Sequence, residues 1–185
     1  MLRRSLTRFA ALLCLSAIVF AKVPRPLAQV TIKTPDRRNI DLRKYRGKIV
    51  FLVLFLTDCD DCIAMVNVAS KMERDFGARG FQVIGAAVND KAPYLVTPFI
   101  QRYRPTFPVG FLDNKDDIIR ILDLGPGVRP VAPMVMFIDQ SGNVRFQYSA
   151  KDGAMMAEKN LRVIAEGLIR QRDEHAAPQR VTKQP

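Results

Sequence analysis

The stretch Ile49–Cys62 reads IVFLVLFLTDCDDC, and it determines the fold that we expect for the rest of the chain. Its first eight residues, Ile49–Leu56, are all apolar and rich in β-branched and aromatic types, which predicts a central strand buried on both faces. The residues that follow keep helical spacing up to about Phe76–Gly80, which predicts a helix. Two cysteines, Cys59 and Cys62, therefore stand where a buried strand passes into a helix.

On both sides of this stretch, strand patterns and helix patterns alternate. This alternation predicts an α/β fold with a mixed central β-sheet flanked by helices, and two short strands before Ile49 predict an N-terminal β-hairpin. We expect one domain over residues 22–170, followed by a disordered tail, 171–185, that has no apolar periodicity. Besides the central strand, the expected strands are 29–33, 39–42, 81–88, 107–112, 134–139 and 144–148, and the expected further helices are 98–103, 115–122 and 154–170.

Composition excludes several classes of protein. The chain has 185 residues, 48% of them hydrophobic and 25% charged, which is the balance of one globular domain and not of a disordered chain. A single histidine, His175, makes a Ser-His-Asp triad or a histidine-ligated metal site improbable, and three cysteines cannot close a four-thiolate zinc site. The net charge of +11 is scattered along the chain, so we expect no specific nucleic-acid partner.

The first 21 residues have the pattern of a secretory signal peptide. Three arginines within the first eight residues precede a short apolar segment, Phe9–Phe20, and a small-residue cleavage site ends at Ala21. We therefore expect a periplasmic or other extracytoplasmic protein, with an uncleaved membrane anchor as the alternative. After cleavage, Cys59 and Cys62 are the only cysteines, in a compartment where disulfides form and persist.

The chemistry expected at this pair is thiol–disulfide exchange. A helix N-terminus stabilises a thiolate, and a spacing of three residues brings both sulfurs to one side of the first turn. Cys59, nearer the helix tip, is expected to attack and Cys62 to resolve the mixed disulfide. The charges of Asp58, Asp60 and Asp61 are expected to oppose a thiolate and so tune the pKa of the site. An inert disulfide and a metal site are the alternative interpretations of the two cysteines.

Several motifs in a fixed order resemble a known family. Asp41–Cys62 is similar to the L-x-x-Y-x-G-K-x-V…F…C-x-x-C opening of thioredoxin-like proteins of the TlpA/ResA (redoxin) type, within the superfamily that also holds the AhpC/TSA peroxidases. Phe107–Val109 with Asp113 resembles the family's central insertion, and Val128–Gly142 resembles its V-x-x-x-P-x-x-F-I-D-x-x-G stretch. Together the matches span about residues 30–148, and they imply a thioredoxin-like fold with that insertion.

The resemblance also implies roles for further residues. Pro133 would be a cis-proline facing the cysteines, and the backbone of Ala132 would bind an extended substrate beside Cys59. The implied partners are protein thiols or disulfides and a membrane-embedded redox partner; the protein would be a monomer without a cofactor. The family's usual tryptophan before the first cysteine is Asp58 here, and a buried acidic residue that some thioredoxins carry is Val53. These departures leave no obvious proton acceptor for the second cysteine outside the motif.

The function expected from these observations is that of an exported thiol–disulfide oxidoreductase acting on protein substrates. Two alternatives remain open at this point. One is a thiol peroxidase on the same fold, although the aspartates around the thiol would hinder formation of a sulfenate. The other is a non-catalytic thioredoxin-like module that binds peptides and keeps its two cysteines locked as a disulfide.

Overall fold

The computed structural model describes residues 23–125 and 127–176. The expected signal peptide and the last nine residues of the expected tail lie outside the described residues. Along the described chain the strands are β1 (Arg25–Pro26), β2 (Ile32–Lys33), β3 (Asn39–Ile40), β4 (Ile49–Phe55), β5 (Phe81–Ala87), β6 (Val109–Phe111), β7 (Met134–Ile138) and β8 (Asn143–Ser149), and the α-helices are α1 (Asp60–Phe76), α2 (Ala92–Tyr103), α3 (Lys115–Leu122) and α4 (Glu158–Ala176).

The eight strands form one mixed sheet in the order β1-β8-β7-β4-β5-β6-β2-β3. Strands β4, β5 and β6 are parallel to one another, whereas β7 and β8 run antiparallel to β4 and β7 respectively. The predicted N-terminal hairpin is present as β2 and β3, which pair antiparallel. The mixed central sheet flanked by helices is therefore confirmed.

Strand β4 lies at the centre of the sheet, and all seven of its residues are buried. Successive side chains of a strand point to opposite faces, so β4 contributes to two separate cores. Phe51, Val53 and Phe55 face the core shared with α1, α2 and α4. Val50 and Leu52 face the core shared with α3 and the N-terminal strands. The continuous apolar run is thus the consequence of helices covering both faces.

The expectation of a short helix that begins at Pro98 is wrong. Helix α2 begins at Ala92 and contains Pro98 in its interior. The longer helix forms because its apolar face is continuous: Ala92, Val96 and Phe99 are buried against the sheet. Pro98 lies on the exposed side, where its missing N–H removes one helical hydrogen bond.

The C-terminal helix also differs from its expected bounds of 154 and 170. Residues 150–156 form a 3₁₀ helix with a non-helical Gly153, and α4 begins only at Glu158. Helix α4 then continues to Ala176, so residues 171–176 are helical where we expected the disordered tail to begin. Arg172 explains the extension, because its guanidinium donates to the carbonyl oxygens of Arg79 and Gly80 at 2.7 Å and fixes this end of α4 to the start of β5.

The sequence patterns did not indicate β1. It pairs with the beginning of β8, whereas β2 pairs with β6 near the opposite edge of the sheet. The segment between them crosses the second core, against which Leu27 and Val30 pack. Among the described residues, no helix is both long enough and apolar enough to span a bilayer.

Candidate active site

The two cysteines lie at the carboxyl end of β4, where the chain turns into α1. Cys59 is the N-cap of α1: its backbone is extended (φ −121°, ψ 121°), and its Sγ accepts a hydrogen bond from the backbone N–H of Cys62 at 3.3 Å. Asp60 and Asp61 occupy the first helical turn. The Cys59 sulfur therefore receives one of the N–H groups that a helix N-terminus leaves without a helical partner.

The two thiols are free in the structure, and their environments differ. Cys62 is fully buried in the core beneath α1, whereas Cys59 is only half-buried. Burial raises the pKa of the Cys62 thiol to about 12, and its hydrogen bond with the Cys59 thiol acts in the same direction. Cys62 is consequently protonated at neutral pH, and Cys59 is the sulfur that an incoming molecule can reach.

The buried Cys62 sulfur also takes part in a hydrogen bond with the backbone. Its Sγ accepts a hydrogen bond from the backbone N–H of Leu56 at 3.4 Å, just after the last residue of β4. Among nearby charges, Asp61 acts on the Cys62 thiol and favours its protonated form. Val53, at the position where some thioredoxins have an acid, is fully buried and offers no proton acceptor.

The side chains of Asp58, Asp60 and Asp61 are all exposed, and that of Asp58 is fixed by a hydrogen bond. Asp58 Oδ1 accepts a hydrogen bond from Asn89 Nδ2 at 2.8 Å, and the Oδ1 of the same asparagine accepts one from Thr57 N–H at 2.9 Å. Sequence reasoning missed Asn89. A signal was available, since Asn89 is the first strongly polar residue after β5, and the carboxyl ends of parallel β4 and β5 share one edge of the sheet.

The structure brings Ala132 and Pro133 to this same edge. Met134, the first residue of β7, is the register partner of Leu54 near the carboxyl end of β4. The Ala132–Pro133 peptide bond is cis. Pro133 is buried, and Ala132 is half-buried and packs against the same core as Cys59.

The two cysteines lie outside the three cavities described on the surface. Three cavities of about 500–650 Å³ open elsewhere on the described surface, and neither cysteine lines any of these three. One of them lies near the opposite end of β4, against Tyr45, Val50 and Asp139. In the described part of the chain, no three His, Cys, Asp or Glu side chains converge as a metal site would require. A half-buried sulfur outside these cavities suits a large substrate that presents its own sulfur.

Solved structures of thiol:disulfide interchange proteins share this architecture. A thioredoxin family protein from Chlorobium tepidum superimposes with a TM-score of 0.64 at 21% identity, covering 79% of this chain and 97% of that one. A secreted disulfide oxidoreductase from Mycobacterium tuberculosis superimposes with a TM-score of 0.62 at 18% identity, covering 76% and 96%. The described residues thus form a thioredoxin-like domain with a Cys-x-x-Cys pair at the start of a helix.

Sequence comparison gives the family. The model of the redoxin family matches residues 22–162, and the chain belongs to that family. Among curated relatives, the thiol–disulfide oxidoreductase ResA of Geobacillus thermodenitrificans is 30% identical over 111 residues, which is 60% of this chain and 59% of the relative. ResA of Halalkalibacterium halodurans is 28% identical over 130 residues, 70% and 69% of the two chains. The chain spans slightly more than half of the first of these relatives, and the predicted resemblance to the TlpA/ResA type is confirmed.

Proposed function

We propose that this protein is an exported thiol–disulfide oxidoreductase that reduces disulfides of protein substrates through Cys59 and Cys62. The observation that carries the proposal is the difference between the two thiols: one is accessible at the tip of a helix, and the other is buried one turn further on. The names of the ResA relatives support the same chemistry. The signal-peptide pattern of the first 21 residues supports export.

The reaction needs two exchange steps. The Cys59 thiolate attacks one sulfur of a substrate disulfide; a Cys59–substrate S–S bond forms, and the other substrate sulfur leaves as a thiolate that takes a proton from water. Cys62 then loses its proton and attacks Cys59 Sγ, which releases the second substrate sulfur. The substrate gains two electrons, and the protein is left with a Cys59–Cys62 disulfide.

Among the described residues, the core around Cys62 contains no carboxylate or imidazole that could accept its proton. Its pKa of about 12 makes the second step depend on a base that reaches the site, and water or the exposed Asp61 at the rim are the groups available. A resolving thiol that is costly to ionise slows release of the mixed disulfide. We therefore propose slow turnover with a dedicated substrate in preference to fast general reduction.

The protein needs a surface that binds its substrate and a reductant that regenerates its thiols. The backbone of Ala132 lies at the edge that carries Cys59, where an extended substrate segment would pair with it. Regeneration of the two thiols requires a dithiol reductant, which we take to be a membrane-embedded protein. The chain would work as a monomer and without a cofactor.

The test is a redox titration of the pair in glutathione buffers, combined with reduction of insulin. We expect Cys59 and Cys62 to titrate as one two-electron couple and the reduced protein to accelerate insulin reduction, while Cys59→Ser abolishes both. A pair that resists reduction, or that changes redox state without any effect on insulin, would contradict the proposal and indicate a peptide-binding module. Consumption of hydrogen peroxide without exchange would indicate a thiol peroxidase.

A further inference from the structure

Asn89 connects two loops at the edge that carries the cysteines. Its backbone is fixed on both sides, because Val88 N–H donates to the Phe55 carbonyl oxygen at 2.9 Å and Ala92 N–H donates to the Asn89 carbonyl oxygen at 3.0 Å. The first bond continues the pairing of β4 with β5, and the second forms the turn that leads into α2. The Asn89 side chain therefore projects from a rigid position toward the loop before Cys59.

That loop depends on side chains for its hydrogen bonds. Residues 56–59 lie between the end of β4 and the first residue of α1. The Leu56 N–H donates to Cys62 Sγ, and the Thr57 N–H donates to Asn89 Oδ1. Of these two contacts, only the one to Asn89 does not involve a reacting atom, since the Cys62 sulfur changes its bonding whenever the pair is oxidised.

The second contact of Asn89 concerns charge. The Asp58 carboxylate is bound by Asn89 Nδ2 on the β5 side of the loop, whereas Cys59 Sγ is bound by the Cys62 N–H on the α1 side. The Asp58 carboxylate and the Cys59 sulfur are therefore bound to different groups, although the two residues are adjacent in the sequence. A carboxylate released from Asn89 would be free to approach Cys59, where its charge would oppose formation of a thiolate.

We propose that Asn89 is a positioning residue, which holds the Asp58 carboxylate away from the Cys59 sulfur and so keeps the attacking thiolate available. The inference rests on the proposed function, since it assumes that Cys59 attacks. Its effect is exerted through Asp58 and therefore must disappear when Asp58 is neutral. Among the hydrogen bonds of the described residues, none joins the Asn89 side chain to a sulfur atom.

The test is a double-mutant cycle over Asn89→Ala and Asp58→Asn. The readout is the rate at which iodoacetamide alkylates Cys59 in the reduced protein at pH 7, with the labelled cysteine identified by mass spectrometry. We expect Asn89→Ala to slow alkylation by about threefold or more, because less of the thiol is ionised. In the Asp58→Asn background the same substitution is expected to have no further effect.

Two controls separate this role from a loss of structure. Asn67→Ala removes an exposed asparagine from α1 and is expected to leave the rate unchanged. Asn89→Asp keeps an acceptor for Thr57 N–H but sets a carboxylate against Asp58, so we expect it to slow alkylation more than Asn89→Ala does. Urea denaturation of each variant identifies any that is not folded.

The alkylation experiment tests the role of Asn89 independently of the proposed oxidoreductase function. An unchanged rate in both Asn89 variants, or an Asn89→Ala effect of the same size with and without the Asp58 charge, would overturn the role of Asn89. Alkylation needs no protein substrate, so these outcomes are independent of whether the wild-type protein reduces insulin. Failure of insulin reduction with normal alkylation would instead count against the proposed function.

Discussion

The burial of Cys62 beside the half-buried Cys59 makes a specific prediction for single-cysteine variants. With Cys62→Ser, the mixed disulfide on Cys59 cannot be resolved, so we expect substrates to accumulate as covalent complexes. With Cys59→Ser, the remaining thiol is buried and protonated, and we expect no complexes. Non-reducing electrophoresis with a disulfide-containing protein substrate measures both. Equal trapping by the two variants would refute the assignment of attacking and resolving roles.

Asp60 and Asp61 differ from Asp58 in that both are exposed residues of the first turn of α1. We propose that their negative charges oppose formation of a thiolate and so favour the disulfide, which would lower the reduction potential. We expect the Asp60→Asn, Asp61→Asn double variant to have a potential higher by roughly 10–20 mV, with the difference shrinking in high salt. Equilibration with glutathione buffers at two ionic strengths measures this. An unchanged or lower potential would show that these carboxylates do not tune the site.

At the scale of elements, the contact between β2 and β6 depends on Gly110. A Cβ atom at this position would overlap the carbonyl oxygen of Lys33 and lie 2.7 Å from Ile32 Cγ2. Because one of these atoms belongs to the backbone, the strands would have to separate. We expect Gly110→Ala to lower the free energy of unfolding by about 1–3 kcal/mol.

Gly167 provides the matched control for this substitution. It lies inside α4, and a Cβ there would meet no heavy atom within 4 Å. Alanine is the better helix former, so we expect Gly167→Ala to raise the free energy of unfolding by roughly 0.5–1 kcal/mol. Urea denaturation of both variants is the measurement. A Gly110→Ala variant that is no less stable than the wild type would contradict the packing described for β6.

The elements that were predicted correctly are those determined by local sequence patterns. Strand β4 and helix α1 were predictable because the apolar run and the helical spacing are local, and the same patterns located Cys59 and Cys62. Helix α2 was predicted too short because Pro98 is a local signal for a helix start, whereas burial of Ala92 is decided by the sheet. The bonds of Asn89 join residues about thirty positions apart, and no local pattern records such a contact.

For the molecule as a whole, the carboxyl group of Glu73 contributes to the dependence of stability on pH. Glu73 on α1 is half-buried, and its carboxylate accepts hydrogen bonds from Val83 N–H at 2.6 Å and Gln82 Nε2 at 3.1 Å. Burial nonetheless raises the pKa of Glu73 above its ordinary value. The folded protein therefore holds this proton more tightly than the unfolded chain does, and the stability associated with it is lost as pH rises from about 4.5 through the folded-state pKa.

Comparison of the wild type with Glu73→Gln isolates this contribution. The glutamine carries no titratable proton, so the free energy of unfolding of the wild type relative to the variant is expected to fall as the pH is raised from 4 to 7. Urea denaturation at steps of pH measures the difference. A difference that is constant, or that grows with pH, would show that burial does not dominate at this carboxyl.

The sheet has a very short strand at each margin. β1 and β3 contain two residues each, and Pro26 in β1 has no N–H to offer a further strand. A second molecule arriving alongside would find almost no free main-chain donors and acceptors with which to extend the ladder. Within the described residues, the two margins of the sheet are thus protected against pairing with further strands into larger β-assemblies.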